Sequence, residues 1–230
     1  MRLGGLSGGF FKISEWISRL AYVNFLWIVF TLAGIVFLGF MPATVSLFTV
    51  IRKWVLKQTD VPVFSTFWKT YRKEFVKSNI LGVILVIFGY ILYVDLTLIP
   101  TEGILYTILR YSVLVISFLF LIVLLYIFPI YAHYDWKISK YLKYAFILGA
   151  SYPHFTFGMI FCLFLLYFLL TIVPGFIPFF SVSLLAYLVM WIANQVFVKA
   201  ESLVVNKDAK LKNENRELVL IETSNNTKNN

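Results

Sequence analysis

The chain has 230 residues, 60% of them hydrophobic and 13% charged, with a formal net charge of +9. Soluble domains carry about 25% charged residues, so this chain has too little polar surface to coat a globule, and lipid is its expected outer solvent. The basic excess sits in short clusters between apolar runs, the pattern of cytoplasmic loops and anionic headgroups, which argues against a nucleic-acid partner.

Residues 1–19 are expected to form an N-terminal flexible and interfacial segment. The stretch through Gly9 is rich in glycine, and then Phe10, Ile13, Trp16, Ile17 and Leu20 recur at helical spacing with Lys12, Glu15 and Arg19 on other faces. That pattern predicts a short helix lying on the membrane, or a polar extension of the first span. Leu20 to Leu38 carries no charge, and at 1.5 Å per residue it makes roughly 28 Å of helix, about the thickness of a hydrocarbon core. No cleavable signal peptide is expected, because this run is long and no small-x-small site follows it. Gly39-Phe40-Met41-Pro42 reads as a break. A short second segment over 43–57 ends in Arg52, Lys53 and a Trp54 anchor.

Between Lys57 and Ser78 the chain is polar. There Phe64, Phe67, Trp68, Tyr71, Phe75 and Val76 share a stripe opposite Lys69, Arg72, Lys73 and Lys77. This predicts a basic amphipathic helix, with Trp68, Lys69, Tyr71, Arg72 and Lys73 as candidates for docking a partner or anionic lipid. The next segments are expected over 80–100, 106–130, 145–173 and 179–198. Gly82 and Gly89 lie seven residues apart in the first of these, a spacing that allows close approach of backbones. Ser151-Tyr152-Pro153-His154 interrupts the third, and Pro174 to Pro178 makes a turn before the last. The stretch 131–143 is polar and aromatic, and Trp136, Lys140 and Tyr141 are a second set of docking candidates. The helical domain thus covers 20–198, and a polar tail over 199–230 is expected to be partly disordered.

The fold class is all-α: a polytopic transmembrane helix bundle of about six membrane segments, with interfacial amphipathic helices. Lys and Arg crowd the stretches 52–79 and 131–143 and the tail, while 95–106 and 173–178 have none. Basic loops face the cytoplasm. A hairpin bent at Pro42 then places both termini inside, and five spans with an external N-terminus is the alternative.

Chemistry is sparse. The sequence has no His-Glu-x-x-His, no Gly-x-Ser-x-Gly and no phosphate-binding loop. Its lone Cys162 permits no intramolecular disulfide. No catalytic residue, metal or cofactor is expected. Asn24, Asn194 and Gln195 are the candidate polar contacts inside the membrane, where Asn and Gln commonly bond across helices.

Gly39-Phe40-Met41-Pro42-Ala43-Thr44, followed by Arg52-Lys53 and Val63-Phe64-Ser65-Thr66-Phe67-Trp68, resembles the YesL family of bacterial membrane proteins, also called DUF624. Phe128-Pro129-Ile130-Tyr131, the run Lys143 to Gly149 and Pro153-His154 agree with it. The resemblance covers roughly Phe10 to Val198 and makes Gly39, Pro42, Ala43 and Thr44 a family motif. It implies a place in the bacterial plasma membrane. Members are commonly encoded beside carbohydrate ABC importers and polysaccharide-degrading enzymes, which implies a role in sugar uptake. It carries no active site. The expectation is a non-catalytic accessory or regulatory subunit in contact with permease or ATPase subunits of such an importer; a small transporter acting alone or as a homo-oligomer is the alternative.

Overall fold

The computed structural model describes residues 5–58, 60–100 and 102–228, and the side chains within 13–58, 60–100, 102–207, 209–210 and 212. The stretch through Gly9, expected to be flexible, is described from Gly5 onward and is helical there, while the side chain of Phe10 lies outside the described ones. So does most of the side-chain content of the tail. Among the described residues the architecture is all-α. It runs α1 (Gly5–Ala33), α2 (Phe37–Val55), α3 (Val63–Leu98), α4 (Ile104–His133), α5 (Ile138–Ser151), α6 (Pro153–Ile172), a 3-10 turn at Pro174–Phe176, and α7 (Ile177–Lys228). The chain divides into two compact units, Met1–Ala193 and Asn194–Asn230. The second is helical through Lys228, with Leu203, Val204 and Val205 exposed among polar neighbours. The first holds the membrane bundle and its polar chemistry.

Among the described residues, five helices are long and apolar enough to cross a membrane: Ile13–Ala33 of α1, then α3, α4, α6 and the stretch Pro174–Lys207. Their outward faces carry large apolar side chains in the open, such as Ile104 at 84% and Tyr167 at 69% exposure. Water does not tolerate such a surface; hydrocarbon does.

α2, the predicted short segment, is not among the five and is instead the hub. Pro42 through Phe48 are all buried, as are Val50, Ile51 and Trp54. The first turn of α2 exposes Phe37, Leu38 and Phe40, but from Pro42 onward little of the helix is left to face lipid, and it can hold hydroxyl residues if they are bonded. Thr44 donates to the Phe40 carbonyl at 2.7 Å, Ser46 to that of Pro42 at 2.7 Å and Thr49 to that of Val45 at 2.8 Å. Trp27 on α1 donates its indole N–H to Thr44 at 3.1 Å.

The reversal between α1 and α2 lies earlier than the Gly39–Pro42 break the sequence suggests. Val36 N–H bonds to the Thr31 carbonyl and Ile35 N–H to that of Leu32. This is a Schellman ending, with Ile35 and Val36 at φ 57 and 60 where glycine is usual. Gly39 and Pro42 belong to the helix after the turn. At Gly39 a Cβ would strike the backbone oxygens of Phe30 and Thr31, so glycine lets the hairpin close. Pro42 has no N–H for the Leu38 carbonyl one turn back. Asn79 of α3 fills that vacancy, donating to Leu38 at 3.0 Å. The break signal is an interhelical link.

Two further expectations merge. The amphipathic stretch around 64–77 and the span beyond it form one 36-residue helix, α3. At 1.5 Å per residue α3 is about 54 Å long, well beyond the roughly 30 Å hydrocarbon core. α1 likewise runs unbroken from Gly5, as the polar extension of the first span. The interruption at 151–154 is real: α5 ends at Ser151 and α6 begins with Pro153 in its first turn. Gly82 and Gly89 face side chains, those of Met41 and Phe120, and not another backbone.

Candidate functional site

The richest polar chemistry gathers where the first half of α3 meets the end of α4 and the start of α5. Glu74 is its centre. It shares a helical face with Phe67, Tyr71, Ser78 and Leu81, all buried, and is itself only 9% exposed. A buried carboxylate requires partners. The Tyr131 hydroxyl donates to Glu74 Oε2 at 2.8 Å, and Lys73 Nζ lies 3.4 Å from Oε1.

Lys77, one turn further on, ties this centre to the α4–α5 connection. Its Nζ is 3.1 Å from Asp135 Oδ1 and donates to the Tyr141 hydroxyl at 3.2 Å. It also sits 5.3 and 5.1 Å from the ring centroids of Tyr131 and Tyr141, which stack 4.6 Å apart. The Tyr141 hydroxyl accepts from the Trp136 N–H at 2.9 Å and donates to the Tyr134 carbonyl at 3.1 Å. Lys73 adds a longer contact to Asp135 at 3.7 Å. The hydrogen bond from Lys77, together with the charges of Lys77 and Lys73, holds the exposed Asp135 carboxyl below its ordinary value. Arg52, at the end of α2, donates from Nε to His133 Nδ1 at 3.2 Å. That ring nitrogen is therefore the acceptor.

A cavity of about 260 Å³ opens beside Glu74, walled by Thr49, Lys69, Thr70, His133 and Asp135 among others. Its wall carries several polar groups, and it is large enough for several waters. Glu74 lies six residues before Ile80, where the apolar run of α3 begins, so the cluster sits about 9 Å outside that run. Among the described residues no three metal-ligating side chains of the His, Cys, Asp or Glu type come together.

The docking candidates divide by placement. Lys69, Arg72, Lys73 and Lys140 are exposed, and Trp68 is 39% exposed with the Arg72 guanidinium 5.6 Å from its ring. Tyr71 and Tyr141 are buried. Tyr71 donates to the Phe30 carbonyl at 3.1 Å within a cluster of Phe30, Phe64, Phe67 and Trp68. Trp136 is half-buried, stacked on Tyr134 at 4.2 Å and near Tyr144 at 4.7 Å. Of the motif, Gly39, Pro42, Ala43 and Thr44 are all buried in the α2 hub.

Of the intramembrane candidates, Asn24 is 1% exposed and bridges α1 to α7. It donates to the Pro178 carbonyl at 2.8 Å and accepts from Ser183 N–H at 3.0 Å. Asn194 is half-buried, and its Oδ1 has no hydrogen-bond partner among the described residues. Gln195 is exposed. Sequence reasoning missed Glu74. Its signal was present: it is the one acid among the five charges from Lys69 to Lys77, and it is spaced onto the aromatic face instead of the basic one.

The family model described as "Protein of unknown function, DUF624" matches residues 20–96, a stretch that contains α2 and Glu74. The chain is 44% identical over 201 residues to the uncharacterized protein YteU of Bacillus subtilis (strain 168), covering 87% of this chain and 90% of that one. It is 36% identical over 203 residues to the uncharacterized protein YesL of the same organism, covering 86% and 93%. With the uncharacterized protein YesV it shares 37% over 194 residues, covering 82% and 91%. No solved structure matches significantly.

Proposed function

We propose, starting from the fact that this chain belongs to the DUF624 family, that it is a non-catalytic accessory subunit of the bacterial plasma membrane. It docks a permease or ATPase subunit of a carbohydrate ABC importer through the basic end of α3. The observation that carries this reading is the ordered, charged cap beyond the apolar run. Lys69, Arg72 and Lys73 are exposed on a helix that Glu74, Tyr131, Lys77 and Asp135 lock to α4 and its connection to α5. A pre-ordered basic surface accepts an acidic partner with less entropy lost on binding than a mobile one. By the positive-inside bias this cap faces the cytoplasm, and with the buried α2 counted as a sixth crossing, about 28 Å long, both termini face it too. The identity of the partner rests on the sugar-uptake role that the resemblance implies.

The test is photo-crosslinking in cells growing on a complex glycan, with the reactive residue placed at Lys69 or Arg72 and, as a lipid-facing control, at Val86. Crosslinks to importer subunits from the first two positions and not from the third are expected. No such crosslinks, together with sugar uptake by the purified chain alone in liposomes, would transfer the reading to an independent transporter.

A further inference from the structure

On the α3–α5 side of the bundle two hollows succeed one another along the same helices. The first is basic and open, formed by Lys77, Asp135, Trp136, Lys137 and Lys140. The second is almost wholly apolar, about 290 Å³, with Ile84, Phe88, Phe120, Leu142 and Phe146 in its wall. α3 supplies Lys77 to one and, two and three turns later on the same face, Ile84 and Phe88 to the other. α5 supplies Lys140 and then Leu142 and Phe146.

The spacing has a physical meaning. From Lys77 to Ile84 the helix rises about 10 Å, and from Lys140 to Phe146 about 9 Å. A headgroup layer is about 5–8 Å thick on each side of the hydrocarbon core. Cations at one level and an apolar groove one headgroup deeper match the two parts of a phospholipid. Asp135 does not spoil the match, because Lys77 and Lys73 already hold it. Lys137 and Lys140 are exposed and make no ion pair among the described residues. Trp136 lines the basic hollow, and an indole suits the boundary between headgroup and chain. The upper part of α4 is equally apolar on its outer face but has no such pair of lysines, so the feature differs from general lipid exposure.

We propose that this paired hollow holds one anionic phospholipid, its phosphate on Lys137 and Lys140 and one acyl chain along Ile84, Phe88 and Phe146. The site does not depend on the partner reading, and importer crosslinks could fail while it stands. The test is native mass spectrometry of the delipidated full chain, offered equal amounts of phosphatidylglycerol and phosphatidylcholine. Preferential retention of one phosphatidylglycerol is expected. Lys137→Gln with Lys140→Gln should reduce that preference about tenfold to thirtyfold, each surface lysine contributing roughly a fivefold factor. Ile116→Trp, filling the groove from a position 43% exposed on α4, should lower retention of both lipids and leave the preference unchanged. All three residues are accessible, so folding is not at stake, and elution as a single species in detergent checks this. Equal retention of the two lipids, an unchanged preference in the lysine variant, or displacement by millimolar glycerol phosphate would each overturn the proposal; the last would make the hollow a free-phosphate site.

Discussion

Tyr131→Phe removes one hydroxyl and leaves the aromatic frame of the charged cap intact. The ring still stacks on Tyr141 and still lies under Lys77. What goes is the 2.8 Å bond to Glu74. A hydrogen bond to an ionised group contributes about 1.5–3 kcal/mol. The 260 Å³ cavity beside Glu74 lets water replace the lost donor in part, which favours the lower end, about 1.5 kcal/mol. For a chain of this size 1 kcal/mol moves Tm by about 2–4 °C, so a fall of roughly 3–6 °C is expected. In a Glu74→Gln background the acceptor is an amide, and the same change, with water again replacing the donor in part, should cost only about 0.5 kcal/mol. The two substitutions should therefore be non-additive. Thermal unfolding of the four proteins in one detergent reads this out. A Tyr131→Phe protein within about 1 °C of the parent, with additive effects, would refute the hold of the Tyr131 hydroxyl on Glu74.

Three other outcomes are expected from the packing. Asn24→Leu removes two bonds between α1 and α7, one to the Pro178 carbonyl and one from the Ser183 N–H. Interhelical bonds in membranes average about 0.6 kcal/mol each. A loss of about 1–2 kcal/mol in thermal unfolding is expected, and none would show that α1 does not hold α7 this way. Gly39→Ala should be more damaging than Gly82→Ala, about 1–3 kcal/mol or more against less than about 1, because the new Cβ meets fixed backbone at Gly39 and the movable Met41 side chain at Gly82. The reverse order would contradict the hairpin geometry. Asp135 has a lowered native pKa, so its stabilising link is present above the unfolded carboxylate value of about 3.9 and is lost as pH falls through the native one. Tm measured from pH 6 downward should therefore fall more in the parent than in Asp135→Asn. The group is exposed and the difference small.

The lipid-facing helices were legible because hydrocarbon imposes a rule on every outward residue, and a run of apolar residues long enough to span leaves few alternatives. The stops at Ser151 to Pro153 and at Pro174 were legible for the same local reason, a proline with no helical donor ahead of it. The hub was not. Gly39 and Pro42 give the same local signal whether a helix ends there or packs closely there, and the choice was made 37 residues away from Pro42 by the amide of Asn79. The continuity of α3 was hidden by its change of solvent: charges mark one half and lipid-facing residues the other, while nothing between Lys77 and Ile80 breaks a helix. Counting charges gave α3 a basic face correctly and missed that Glu74, the one acid from Lys69 to Lys77, lies on the buried face instead.

Depth decides between the two uses a buried carboxylate could have. In a proton- or ion-coupled carrier, ionisable groups lie near mid-bilayer, where each costs about 2.5–3.5 kcal/mol on insertion scales. The apolar run of α3 is centred near Gly89, fifteen residues beyond Glu74, a rise of roughly 23 Å along the helix. At that level the ring of Phe120 lies against Gly89, and Phe88 packs against Phe120 with ring centroids 5.1 Å apart. On α3, aromatic rings fill the level where the carrier reading would need a charge, and Glu74 braces the end of the helix that carries Lys69, Arg72 and Lys73. On the proposed reading, moving the acid to the centre, as Gly89→Glu, should destabilise the fold without conferring uptake, whereas neutralising Lys69 and Arg72 should leave Tm unchanged and abolish partner crosslinks. Sugar uptake lost on Glu74→Gln with crosslinks intact would place the working charge at the membrane border and defeat the depth argument.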